Sequence, residues 1–269
     1  MKRLLVLMLA VLLIFQAQAF ADQDILVSGS QQAYDNIQVL GSNVLYTDDV
    51  IWIYYELYNA GKNPIHIDHN HSSVQFFDRN GKMIYEWKGT LLESSVSSKG
   101  YNVMSFDPWI VEPGQKFYIS DMVWKNVANH PEEKEAYRKI LQASSYKLNL
   151  TITPSYNPND LYKNSHPSLP VTWKYSMQNE KSTHWLKMDL KVSNNTSRTA
   201  EDVLLVFVIR DSRGNPVAID TTTEYNVNIP AHGSKQITRD YVFIFEQLDL
   251  LLDNGFNITG VDVLAYLCD

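Results

Sequence analysis

Cysteine is almost missing from this chain. Cys268, next to the C-terminal residue, is the only one, so there is no intramolecular disulfide framework and no site built on paired thiolates. Positive charge is also scarce. Lys and Arg number 23 against 30 Asp and Glu, a formal net charge of −7, and no basic block occurs. Nucleic acid is therefore excluded as a partner, because phosphate binding draws on clustered Lys and Arg. Local signatures of catalysis are missing as well: there is no Gly-x-Ser-x-Gly elbow, no His-Glu-x-x-His, no phosphate-cradling glycine loop and no calcium loop. Cys268 lies at a terminus, a poor place to hold a nucleophile in register with a base. These absences point to a non-catalytic protein without a cofactor.

Only one long apolar run is present, and it stands at the N-terminus. Lys2 and Arg3 precede Leu4 to Phe15, and the chain then turns small and polar through Gln16 to Ala21. A basic start, an apolar stretch too short to span a bilayer and a small-x-small site at Ala19 and Ala21 are the marks of a cleaved export signal over residues 1–21. With no second such run, no transmembrane segment is expected after cleavage. The remainder is long enough for two domains, each with its own core.

Alternating apolar runs broken by turn residues fill the rest of the chain, the pattern of antiparallel β structure. In Trp185 to Val192, Leu186, Met188, Leu190 and Val192 share one face, and Lys187, Asp189 and Lys191 the other. The landmarks then recur. Ile51 to Tyr58 leads into Asn59-Ala60-Gly61-Lys62 as Leu186 to Val192 leads into Asn194-Asn195-Thr196-Ser197. An apolar strand next enters an Asp and Gly turn, Asp78-Arg79-Asn80-Gly81 and Asp211-Ser212-Arg213-Gly214, followed by a break at Pro113-Gly114 and at Pro230-Ala231-His232-Gly233. A short helix and a final strand close each copy. Pro131 opens the first helix, with Ala136, Tyr137, Ile140 and Leu141 as its apolar stripe, and Glu246 to Asp253 forms the second, stopped by Gly255. The final strands are expected over Tyr146 to Thr153 and Gly260 to Leu267. The expected fold is all-β: two tandem immunoglobulin-like antiparallel sandwiches, residues 25–154 and 168–269, joined by a proline-punctuated linker over 155–167 and able to fold independently.

Phe207-Val208-Ile209-Arg210-Asp211, and in weaker form Val74-Gln75-Phe76-Phe77-Asp78, resemble the signature of the bacterial FxLYD family of small extracytoplasmic β-sandwich domains. The first copy also resembles the bacterial intracellular proteinase inhibitor family over about residues 50–124, through Asn59-Ala60-Gly61-Lys62-Asn63-Pro64, Asp78-Arg79-Asn80-Gly81-Lys82, Tyr85-Glu86-Trp87 and Pro113-Gly114. Both resemblances imply an immunoglobulin-like sandwich, and the first implies no catalysis. The function expected is an exported binding or scaffold module acting on a protein or cell-envelope component, with an extracytoplasmic protease inhibitor or a glycan-binding module as alternatives.

Two groups of residues carry candidate chemistry. In His66-Ile67-Asp68-His69-Asn70-His71, strand alternation puts His69 and His71 on one face, where a third ligand from elsewhere would complete a Zn²⁺ or Cu²⁺ site. No such ligand announces itself, so no metal is expected there. The second group is aromatic. Where the second copy has Lys187 and Asp189 on the outer face of its strand, the first has Trp52 and Tyr54, so a face that meets water in one copy must be covered in the other. The cover expected is an insertion carrying Tyr101, Met104, Phe106 and Trp109 that folds back as a hairpin over Trp52 and Tyr54, with the second domain or an external partner as alternatives. Trp52, Tyr54, Tyr101, Phe106 and Trp109 are accordingly the candidate partner-binding residues.

Overall fold

The computed structural model describes residues 25–28, 37–46, 49–67, 72–88, 110–125, 131–153, 167–180, 183–212, 214–242, 247–253, 255–256, 258 and 260–267. The first unit runs through β1 (Ile25–Ser28), β2 (Ile37–Tyr46), β3 (Val50–Asn59), β4 (Ile65–Ile67), β5 (Ser73–Phe77), β6 (Met83–Lys88), β7 (Ile110–Val111), β8 (Lys116–Trp124), α1 (Pro131–Ile140) and β9 (Ser145–Thr153). The second has β10 (Ser168–Leu169), β11 (Val171–Glu180), β12 (Thr183–Ser193), β13 (Val203–Arg210), β14 (Pro216–Glu224), β15 (Ser234–Val242), α2 (Gln247–Asp253) and β16 (Asp262–Leu267). Each unit is a sandwich with one short helix before its last strand, as the turn pattern predicts.

The two sandwiches share their strand order. Sheet β2-β3-β8 in the first corresponds to β11-β12-β15 in the second, and β6-β5-β9 to β14-β13-β16, with β1 beside β9 where β10 stands beside β16. Two details differ from a purely antiparallel expectation and from strict correspondence. β1 pairs with β9 in parallel, Ile25 opposite Leu148, whereas β10 pairs with β16 antiparallel. The first unit also adds β4 and β7 beyond β9.

The asparagine and aspartate landmarks do the same physical work in both copies. Asn59 Nδ2 donates to the carbonyls of Asn63 and Val111, and its Oδ1 accepts from Gly61 N. Asn194 Nδ2 donates to Arg198 and Ile229, and its Oδ1 accepts from Thr196 N. Both amides are buried and clasp a turn to a distant strand end, which explains an Asn at the end of an apolar strand. Asp78 and Asp211 carboxylates accept the turn amides of Lys82 and Asn215, while Gly81 and Gly214 take φ of 74° and 88°, a region that favours glycine. In α1 the buried residues are Ala136, Tyr137 and Ile140, but Leu141 is exposed, because the helix ends at Ile140 and the chain turns away.

Packing between the units follows from two strands that are apolar on both faces. β3 is buried almost end to end, with Ile51, Ile53, Tyr55 and Leu57 inside the first sandwich, where Tyr55 meets Tyr146 of β9 edge-on. β13 is likewise buried from Val203 to Ile209. Val203, Leu205, Phe207 and Ile209 point into the second core, while Leu204, Val206 and Val208 join the same apolar cluster as Trp52, Tyr54 and Tyr118 of the first unit. Ile219 of β14 and Tyr266 of β16 lie in that cluster too, and Leu45 of β2 packs against both cores. Gly41 of β2 gives way to Pro216, where a Cβ would lie 2.7 Å from the proline Cδ. The described strands are thus four sheets deep, with β2-β3-β8 packed on the outer face of β10-β16-β13-β14.

Removing either asparagine clasp leaves buried carbonyls without a donor. Asn59→Ala and Asn194→Ala are each expected to lower unfolding free energy by about 2–3 kcal/mol, whereas Asn195→Ala, on an exposed neighbour, stays within about 0.5 kcal/mol. Urea denaturation midpoints of the three variants measure the difference.

Candidate functional site

The densest chemistry among the described residues lies in the seam between the sandwiches. Glu56 stands on β3 on the same face as Trp52 and Tyr54, and its side chain is 2% exposed. A carboxylate so placed is stable only if every lone pair finds a donor. Its Oε1 accepts from Arg210 Nη2 at 2.8 Å, Lys116 Nζ at 2.9 Å and the Tyr118 hydroxyl at 3.1 Å, and its Oε2 pairs with Arg210 Nη1. Lys116 and Tyr118 come from β8, where Tyr118 lies directly opposite Glu56 in the ladder. Arg210 comes from β13 of the other unit.

Arg210 is itself fixed from behind. Its Nε donates to Asp262 Oδ2 at 2.6 Å and its Nη1 to the Gly214 carbonyl at 3.0 Å, so the guanidinium is aimed by its own unit before it meets Glu56. Tyr266 adds a second tie, donating its hydroxyl to the Lys116 carbonyl at 3.2 Å. Burial alone would push the Glu56 carboxyl up, but hydrogen bonds from Arg210 and Lys116, with their charges, outweigh it and hold the group below its ordinary range. Burial, with Glu56 alongside, raises the Tyr118 and Tyr266 hydroxyls, so both remain neutral donors.

The aromatic candidates fall in two places. Trp52 and Tyr54 are 3% and 0% exposed and stack at 6.3 Å within the seam, covered by the second unit. Among the described residues their cover is the second domain, because β13 and β14 present a matching apolar face, while the insertion expected to fold over them lies outside the described residues; an external partner reaching these rings would have to part the units. Tyr101, Phe106 and Trp109 lie outside the described residues, as do His69, His71 and Cys268. Among the described residues no group of three His, Cys, Asp or Glu side chains is placed to hold a metal ion.

One polar pair had no sequence signal. His184 of β12 has its ring Nδ1 2.6 Å from Asp249 Oδ1 in α2, and its backbone N donates to the same oxygen at 2.9 Å, which ties the helix to the sheet. The partners are 65 residues apart, so no local motif marks them. The residues behind the inhibitor resemblance serve the fold: Asn59 clasps its turn, and Trp87 donates its ring N–H to buried Asp121 at 2.6 Å.

No family model matches this chain, and no curated protein matches it. Among solved structures, red sea bream transglutaminase is 8% identical, with a TM-score of 0.21 over 77% of this chain and 27% of its own. The secreted serine protease VesC from Vibrio cholerae is also 8% identical, with a TM-score of 0.17 over 84% of this chain and 46% of its own. The chain thus spans less than half of either protein, and overlap this loose says nothing of fold or activity.

Because the folded Glu56 carboxyl titrates below its unfolded value, its stabilisation is full above about pH 4.3 and is lost as pH falls through the depressed folded pKa. Glu56→Gln should therefore be less stable at neutral pH, by about 3–5 kcal/mol, and should lack this part of the acid-induced decline. Chemical denaturation of wild type and variant from about pH 7 to pH 3 reads both effects.

Proposed function

We propose that this chain is an exported, non-catalytic binding or scaffold module that presents two sandwiches to a protein or cell-envelope partner in one fixed arrangement. The observation that carries this reading is the seam. Its charged groups are committed to joining the units, Glu56 to Arg210 and Arg210 to Asp262, and its aromatics to filling the space between them. A buried ion pair inside an apolar contact favours one relative orientation over others, since any other deprives buried Glu56 of the Arg210 guanidinium. Partner surfaces that span both sandwiches are then met by a preorganised face.

Export rests on the basic, apolar and small-residue order of residues 1–21. No described helix is long and apolar enough to cross a membrane. Membership of the FxLYD group is part of the proposal, supported by Phe207 to Asp211, which occupies β13 and the first residue of its turn.

The test uses the chain without its first 21 residues, immobilised and offered a detergent extract of the cell envelope. Wild type is expected to retain one component in stoichiometric amount, and the Trp52→Lys, Tyr54→Asp variant, with its seam forced open by buried charge, to lose it. Retention of nothing, together with stoichiometric inhibition of a co-secreted protease, would replace this reading with the inhibitor.

A further inference from the structure

The outer sheet of the second unit ends in a strand built unlike a protected edge. β11 pairs with β12 over ten consecutive residues in unbroken register, Val171 opposite Val192 through Glu180 opposite Thr183. Its other side has no strand among the described residues. Val171, Trp173, Tyr175 and Met177 fall on the face that β12 turns to the core, yet Trp173 and Met177 are 38% and 44% exposed, while Leu190 and Leu186 opposite them are buried. The core face of this sheet therefore runs out into solvent along its last strand.

Free edges are ordinarily blunted by proline, bulges or charge. At the opposite edge of the same sheet β15 follows that rule, with Lys235, Arg239 and Asp240 along it and a register shift against β12 between Leu186 and Met188. β11 has no proline and no bulge, and Lys174 and Glu180 are its only charges. Neither makes an ion pair among the described residues. Lys174 lies across from Asp189, whose carboxylate accepts from the Thr238 hydroxyl.

From these features we infer that β11 is a pairing edge for a second copy of this chain. The occupant follows from charge complementarity under two-fold symmetry. When two β11 strands run antiparallel with Met177 opposite Met177 of the second copy, Lys174 falls opposite Glu180 and Glu180 opposite Lys174, on the polar face. Ser176 meets Gln178 on that face, and Tyr175 comes diagonal to the other Met177 on the apolar one. A single antiparallel register makes both ion pairs. The product is a continuous sheet, β15-β12-β11 joined to its symmetry mate, in which Met177 and Tyr175 gain cross-strand neighbours while Trp173 stands just beyond the paired span. This dimer does not depend on the partner proposed above, whose capture assay stands whether or not the chain self-associates.

Sedimentation equilibrium on the chain without residues 1–21 tests it. Wild type is expected to dimerise, and Lys174→Glu and Glu180→Lys each to weaken the dimer about tenfold or more, because two attractive pairs become repulsive. An equimolar mixture of the two variants restores dimers, since one chain then carries acidic side chains at both positions, the other carries basic ones, and both facing pairs are attractive again. Both sites are exposed, so a near-ultraviolet circular dichroism spectrum unchanged from wild type certifies the fold of each variant. A wild-type chain that stays monomeric, single variants that dimerise as wild type does, or a mixture that fails to recover would each overturn the inference; so would a stripe occupied only by an unrelated extended peptide.

Discussion

A carboxylate on an apolar sheet face has few stable surroundings, and Glu56 occupies one of them. Its neighbours along the strand, Trp52 and Tyr54, are fully covered, so water does not solvate it, and β8 supplies only Lys116 and the Tyr118 hydroxyl. The remaining valence is met by Arg210 from the other sandwich. Leaving that group unpaired costs far more than an exposed ion pair gains, so the contact between the sandwiches is tied to the stability of the first unit itself.

The rest of the architecture is arranged around this demand. β3 and β13 are buried on both faces over nearly their whole length, and each is an interior strand of its sheet. Gly41 lets Pro216 approach, and Tyr266 reaches the β8 backbone, so the seam is fitted by shape as well as by charge. Of the landmarks shared by the two units, the Asp211 turn borders the seam, where the Gly214 carbonyl accepts from Arg210 and Asn215 comes up against Gly41. The shared features hold each sandwich together, and the features that differ, Trp52 and Tyr54 against Lys187 and Asp189, decide which face is covered.

Much of this was legible in the residues. Period-two alternation and repeated turns marked the strands, the helices and the sandwich class, because those signals are local. The need to cover Trp52 and Tyr54 was legible too, but what covers them was not. One signal did exist: Val203 to Ile209 is apolar without alternation, the mark of a strand buried on both faces, and it matches the doubly apolar Ile51 to Tyr55. Pairing of Glu56 with Arg210 spans 154 residues, and that of His184 with Asp249 spans 65. Partnerships at such separations are set by how the sheets stack, which spacing along one sequence does not encode.

If the seam couples the two sandwiches, they unfold together, in place of the independent folding that the proline-punctuated linker predicts. Differential scanning calorimetry of the chain without its first 21 residues is the direct measurement, comparing the calorimetric enthalpy with the van't Hoff enthalpy of the same transition. The account predicts one transition in which the two enthalpies agree. Two resolved transitions, each with the enthalpy of a single sandwich, would contradict it and make the contact between the units incidental.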